Sequence, residues 1–181
     1  LKSANQDSEL EALISSYELA WRMQNNAPGV LDLSQETQNT MAMYGIGEKE
    51  TDNFGRQCLM ARRLAERGVR FIQLYHRGWD HHGDLGRYMK VCCGLCDHPS
   101  ATLVKDLKER GMLDDTLVVW MGEFGRTPGD GNGHFSKAWS TLWAGGGIRG
   151  GQVVGKTSEE GNSPGSEIVE RPVTAPDFIA T

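Results

Sequence analysis

The chain has 181 residues, 38% of them hydrophobic and 24% charged, with a formal net charge of −5. That length supports one domain with its own core, or a piece of a larger one. The acidic balance argues against a nucleic-acid footprint or docking on an anionic membrane, and no apolar run approaches the ~20 residues of a membrane span.

The first helix signal is Ser8-Glu9-Leu10-Glu11, a capping-box pattern. Leu10, Leu13, Ile14, Tyr17 and Trp21 follow as one apolar stripe, and Asn25, Asn26, Pro28 and Gly29 are expected to end the helix. A second helix is expected over 34–44, closed by Gly45. Thr51 can cap a third, with Phe54, Cys58, Ala61 and Ala65 on one face and Gly68 just past its end.

The period then changes. Residues 69–75, "VRFIQLY", are short, apolar and rich in β-branched and aromatic side chains, as in a buried strand. Helix is expected over 85–96, and again from Pro99 to Gly111. Residues 116–121, "TLVVWM", read as a second buried strand. Two strands joined by a helical crossover imply parallel pairing. A short strand is expected at 141–144, an exposed loop over 155–166, and a new helix opening at Thr174 that the end at Thr181 cuts off. With Leu1 rather than Met at the start, and no basic-then-apolar leader, this is the pattern of a fragment or a processed chain. Alternating strands and helices place the fold in the α/β class.

Cys58 stands alone, while Cys92, Cys93 and Cys96 cluster and include one C-x-x-C. A zinc site would need about four ligands, and near the cluster His98 alone could add one. A thiol switch is one reading, and small core-filling side chains on a helix are the other.

Both expected strands hand over to polar clusters at their C-terminal ends. The first is followed by His76, Asp80, His81, His82 and Asp84, and the second by "GEFGRTP" at 122–128. In open α/β sheets ligands bind outside the carboxyl ends of strands. Parallel neighbours would put both clusters on one rim, with His134 of "GDGNGH" able to join them. Asp80, His82, Glu123 and His134 offer the oxygen and imidazole nitrogen ligands of a zinc, manganese or iron site. Period-two alternation puts Asp80 and His82 on the same side. Arg126 carries a planar charge suited to phosphate or sulfate oxygens. Each residue also has a plainer use: loop histidines can be solvated, an Asp can cap a turn, and Glu123 can pair with Arg126. His76 and His81 read as structural or supporting residues. Gly145–Gly147 lacks the Lys-Ser or Lys-Thr of a phosphate loop and reads as a tight turn.

Three stretches, "RRLAERGVRFIQLYHRGWDHHGD", "LVKDLKERGMLDDTLVVWMGEFGRTP" and "AGGGIRGGQVVGKT", strongly resemble the domain-of-unknown-function 1501 family, and "DSELEALISSYELAWRMQ" is similar to it too. The resemblance covers nearly the whole chain. It implies a bacterial sulfatase-like protein near the alkaline-phosphatase superfamily. The implied fold is a doubly wound, mostly parallel sheet flanked by helices, of which residues 1–181 form the C-terminal part, so that the remainder of the domain is itself a partner. Asp80 and His82 match the family's W-D-x-H, and Glu123 and Arg126 match G-E-F-G-R. The usual next motif, Gly-Arg-Asp-His, is reduced here to Gly133-His134. The implied cofactor is a divalent metal ion, zinc first, with manganese, calcium or magnesium as alternatives. The implied ligands are Asp80, His82, Glu123 and His134, with Arg126 catalytic.

The function this implies is metal-dependent hydrolysis of small-molecule or polysaccharide phosphate or sulfate esters. The nucleophile would lie outside this chain, since no cysteine here sits in a C-x-P-x-R setting. The resemblance also implies export to the periplasm or beyond. A non-catalytic binding or structural module on the same fold is the alternative, because function belongs to the site and not the fold.

Overall fold

In a computed structural model of the chain, residues 2–158, 168–174 and 177 are described. Four α-helices occur among them: α1 (Lys2–Leu31), α2 (Gln38–Met43), α3 (Asp52–Glu66) and α4 (Leu85–Glu109). Six short strands follow: β1 (Leu117–Met121), β2 (Gly125–Arg126), β3 (His134–Phe135), β4 (Thr141–Gly145), β5 (Lys156–Thr157) and β6 (Ile168–Glu170). No helix among the described residues is long and apolar enough to cross a membrane.

Helix α1 begins at Lys2, so Ser8 lies inside it and not at its cap. It also runs past the expected stop to Leu31. The extension has a tertiary cause. Val30 is buried, and the Arg63 guanidinium donates to the carbonyls of Gly29 and Val30 at 2.7 and 2.9 Å. Those carbonyls would otherwise be orphans of the helix end. The stripe formed by Leu10, Leu13, Ile14, Tyr17 and Trp21 is exposed.

The single helix expected over 34–44 is two pieces, a 3₁₀ turn at Leu33–Gln35 and then α2, whose N-cap Thr37 accepts from the Thr40 amide. Thr51 does precede α3, but its hydroxyl donates to the Gly45 carbonyl at 2.7 Å instead of capping the helix. Gly68 closes α3 at φ +77°, with Gly68 N–H on the Ala65 carbonyl and Val69 N–H on that of Leu64. This is the paired-bond helix end that a left-handed glycine permits.

The two helices expected over 85–111 are one. Pro99 sits inside α4 with its ring fully buried. Packing there outweighs the roughly 3 kcal/mol that proline costs a helix interior. His98 and Thr102 flank it, and both bond the Met43 carbonyl, at 2.9 and 3.0 Å.

The core lies between α3, α4 and the turn after α2. Leu33, Tyr44, Phe54, Cys58, Leu59 and Cys96 form it, with Leu74, Trp79 and Leu103 packed against its edge. Gly55 faces the Tyr44 carbonyl so closely that an added Cβ would overlap that backbone oxygen. Gly55→Ala is therefore expected to destabilise the protein by about 1–3 kcal/mol through overpacking, read as a lower urea midpoint at unchanged slope.

All four cysteines are free. Burial pushes the thiols of Cys58 and Cys96 up to about 12, which keeps them protonated and unreactive in the fold.

A polar network crosses the same core. Asp106 accepts from the Tyr44 hydroxyl at 2.8 Å and from Arg110 Nε at 2.8 Å, with Arg62 Nε at 3.2 Å. Arg62 also reaches Glu66 at 2.7 Å and Glu36 at 3.0 Å. Its Nε and Nη2 contacts are Coulombic, without hydrogen-bond alignment.

Residues 69–75 form no strand. They keep a strand's alternation: Ile72, Leu74 and His76 are partly buried, and Phe71, Gln73 and Tyr75 are exposed. What they lack is a ladder partner. β1 pairs with β4, antiparallel, in the register Val119 opposite Trp143. Every ladder among the described residues is antiparallel, so the expected parallel pairing of 69–75 with β1 is absent there. β1 is also mostly exposed rather than buried, since burial on both faces needs covering layers on both sides. The strand at 141–144 forms as β4. Most of the loop expected over 155–166 lies outside the described residues, as does the helix after Thr174 except Asp177. Thr174 N–H and Oγ1 both bond the Asp177 carboxylate, as at a helix start.

Candidate metal centre

β1, β2, β3 and β4 nest as one long bent hairpin. β2 pairs with β3 inside the β1–β4 ladder and sets Arg126 opposite His134. The tip at 127–133 is held by its own side chains. Asp130 Oδ1 accepts from the Asn132 amide and the Thr127 hydroxyl, and Thr127 Oγ1 accepts from the Gly133 amide. This hairpin, rather than a parallel sheet, carries Glu123, Arg126 and His134 to the segment containing Asp80 and His82.

Asp80 is the focus. Its Oδ1 lies 2.9 Å from His82 Nε2, 3.0 Å from His134 Nε2 and 3.6 Å from Arg126 Nη2. The His82 and His134 rings are tilted to each other with centroids 5.1 Å apart. Each ring is tethered at its other nitrogen: His82 Nδ1 is 2.7 Å from the Asn132 carbonyl, and His134 Nδ1 is 3.0 Å from Glu123 Oε1. Phe124 adds an edge contact to His134 at 5.9 Å. Partial withdrawal from water raises the Asp80 pKa, but the neighbouring His82, His134 and Arg126 outweigh it and hold the carboxyl below its ordinary value.

His81 points the other way, stacked on Tyr88 at 4.9 Å, with Nε2 3.6 Å from Cys92 Sγ. The alternation that joins Asp80 to His82 thus excludes His81. His76 is turned toward the core, edge-on to Phe54 and accepting from Trp79 Nε1 at 2.8 Å. Burial lowers its pKa, which keeps Nδ1 free to accept.

Arg126 spends Nη2 on the Trp79 carbonyl at 2.7 Å, while its Nη1 is buried without a hydrogen-bond partner. Asp80, His82, Glu123, Arg126 and His134 are therefore all brought together, and one ligand atom from each of Asp80, His82 and His134 lies within 4.8 Å of the others.

Sequence reasoning missed Asn132 and the Trp79 carbonyl, because both act through backbone oxygens that any residue type supplies. The turn-forming "GDGNG" signalled a tight loop, but not which carbonyl would meet an imidazole fifty residues away.

One carboxylate oxygen and two imidazole nitrogens converge here in an open, three-ligand cluster. The donor set of two His and one carboxylate suits a borderline cation such as zinc, and is one that catalytic zinc sites use. Comparison with curated proteins and with solved structures finds no match. The model of the family described as "Protein of unknown function (DUF1501)" matches residues 1–181, and the chain belongs to that family.

Proposed function

We propose that this chain holds a divalent cation, zinc first, on Asp80, His82 and His134, as part of a metal-dependent hydrolase of phosphate or sulfate esters. One observation carries the reading: two imidazole Nε2 atoms face a single carboxylate oxygen at 2.9 and 3.0 Å while both Nδ1 atoms are already engaged. A bare imidazole nitrogen and a carboxylate oxygen repel at that distance, so each contact calls for a positive charge between its atoms, a proton or a metal ion. The sulfatase-like, doubly wound architecture belongs to the same proposal, with the nucleophile supplied from outside residues 1–181.

When bound, the ion supplies Lewis acidity toward an ester oxygen and stabilises charge on the leaving group. The protein's own residues do the rest. Asp80, His82 and His134 would hold the ion at an exposed surface, where an ester oxygen could reach it. Arg126, with Nη2 3.6 Å from Asp80 Oδ1, would contribute positive charge beside the bound ester.

The exposure of the site, 69% for the Asp80 side chain, favours a second reading, a cation-binding module without chemistry. Zinc titration of the chain, followed by assays on p-nitrophenyl phosphate and p-nitrophenyl sulfate with the nucleophile-bearing part of the protein present, separates the two. Metal-dependent turnover that vanishes in His134→Ala supports the hydrolase. Tight metal binding without turnover on either ester leaves the module. No metal binding removes both.

A further inference from the structure

We propose that Glu123 is a positioning residue of the cation site: it orients His134 through Nδ1 and does not itself ligate the ion. The proposal rests on the cation reading above. Imidazole directs its two nitrogens away from each other. His134 Nε2 faces Asp80 Oδ1 at 3.0 Å and its Nδ1 faces Glu123 Oε1 at 3.0 Å. An ion at the focus of Asp80, His82 and His134 therefore lies across the ring from Glu123, and the group of ligand atoms that fit one ion contains Asp80, His82 and His134.

His82 is arranged on the same plan, with Nε2 toward Asp80 and Nδ1 on the Asn132 carbonyl at 2.7 Å. That carbonyl can only accept, so it selects the ring form with its proton on Nδ1 and a lone pair on Nε2. Glu123 does the same for His134 with a charged acceptor. Such outer partners fix the ring angle and raise the basicity of the ligating nitrogen.

The backbone supports this placement. The Arg126–His134 rung of the inner ladder brings the ring beside the loop leaving β1, and Phe124 meets the ring edge-on at 84°. Glu123 is 66% exposed, so replacing it disturbs no core packing.

The test compares the full chain as wild type, Glu123→Gln, Glu123→Ala, His134→Ala and the double Glu123→Ala/His134→Ala. Zinc affinity is read by competition with a chromophoric chelator, and coordination from the visible spectrum of the cobalt(II) form. Glu123→Ala is expected to weaken zinc binding by about 10–100-fold with the cobalt ligand field unchanged. Glu123→Gln keeps an acceptor oxygen and is expected to stay close to wild type. The double variant is expected to bind no more weakly than His134→Ala alone, because Glu123 acts only through that ring. A double variant that falls by the full Glu123→Ala factor again, a changed cobalt spectrum in Glu123→Gln, or wild-type affinity in Glu123→Ala would each overturn the assignment. A wild-type protein that binds neither ion removes the cation reading and this proposal together, whereas additive losses from a wild type that does bind remove only the role of Glu123.

Discussion

Asp106→Ala is expected to lower the unfolding free energy by about 3–5 kcal/mol, the range for breaking one side of a buried ion pair. The Asp106 and Arg62 side chains are only 5% and 3% exposed. The carboxylate serves three partners at once, Arg62, Arg110 and the Tyr44 hydroxyl. Removing it leaves Arg62 with Glu36 and Glu66 as its carboxylate partners and strands the hydroxyl of a fully buried tyrosine. Urea unfolding followed by circular dichroism measures the loss. A change under about 1 kcal/mol would show that the network contributes little, as exposed pairs do.

Acid attacks the same network from another side. Burial raises the Glu36 pKa, but the Arg63 hydrogen bond and the charges of Arg62 and Arg63 more than reverse this, so its folded pKa lies below the ordinary 4.5. A depressed carboxyl stabilises the fold above its unfolded pKa, and that contribution is lost as pH falls through the folded value. Stability is therefore expected to decline below about pH 4.5, and the decline to flatten in Glu36→Gln.

Asp80→Ala is expected to reduce zinc affinity by more than about 100-fold, beyond the range for loss of an outer partner. Asp80 meets both imidazole Nε2 atoms, and its Oδ1 lies 3.6 Å from Arg126 Nη2. Without it the remaining cluster is two neutral ligands beside an uncompensated guanidinium. Because Asp80 lies at the surface, the fold should persist, and an unchanged circular dichroism spectrum separates lost binding from lost structure. Arg126→Ala is the counterpart: it removes a positive charge without removing a ligand, so metal affinity should hold while any ester turnover falls. Zinc binding by Asp80→Ala equal to wild type would place the ion elsewhere or nowhere.

What was readable in advance was local. The apolar face of α3, the left-handed Gly68 at its end, and the same-side pairing of Asp80 with His82 follow from periodicity and from backbone freedom within a few residues. What neighbours must supply was not readable. Residues 69–75 carry a strand's composition and alternation, yet a strand exists only when a second backbone completes its hydrogen bonds, and no local signal reports that. Pro99 reads as a helix start because proline's local cost is known, whereas the buried packing that offsets it is not visible along the chain.

The cluster divides the same way. The residue types at 80, 82, 123, 126 and 134 marked them as candidates by their chemistry alone. Tertiary structure decided that an antiparallel hairpin, not a parallel sheet, delivers three of them, that His134 stands between two carboxylates, and that the Asn132 carbonyl orients His82. Side-chain chemistry is written one residue at a time. Which nitrogen of an imidazole faces which oxygen depends on where two distant stretches of backbone meet.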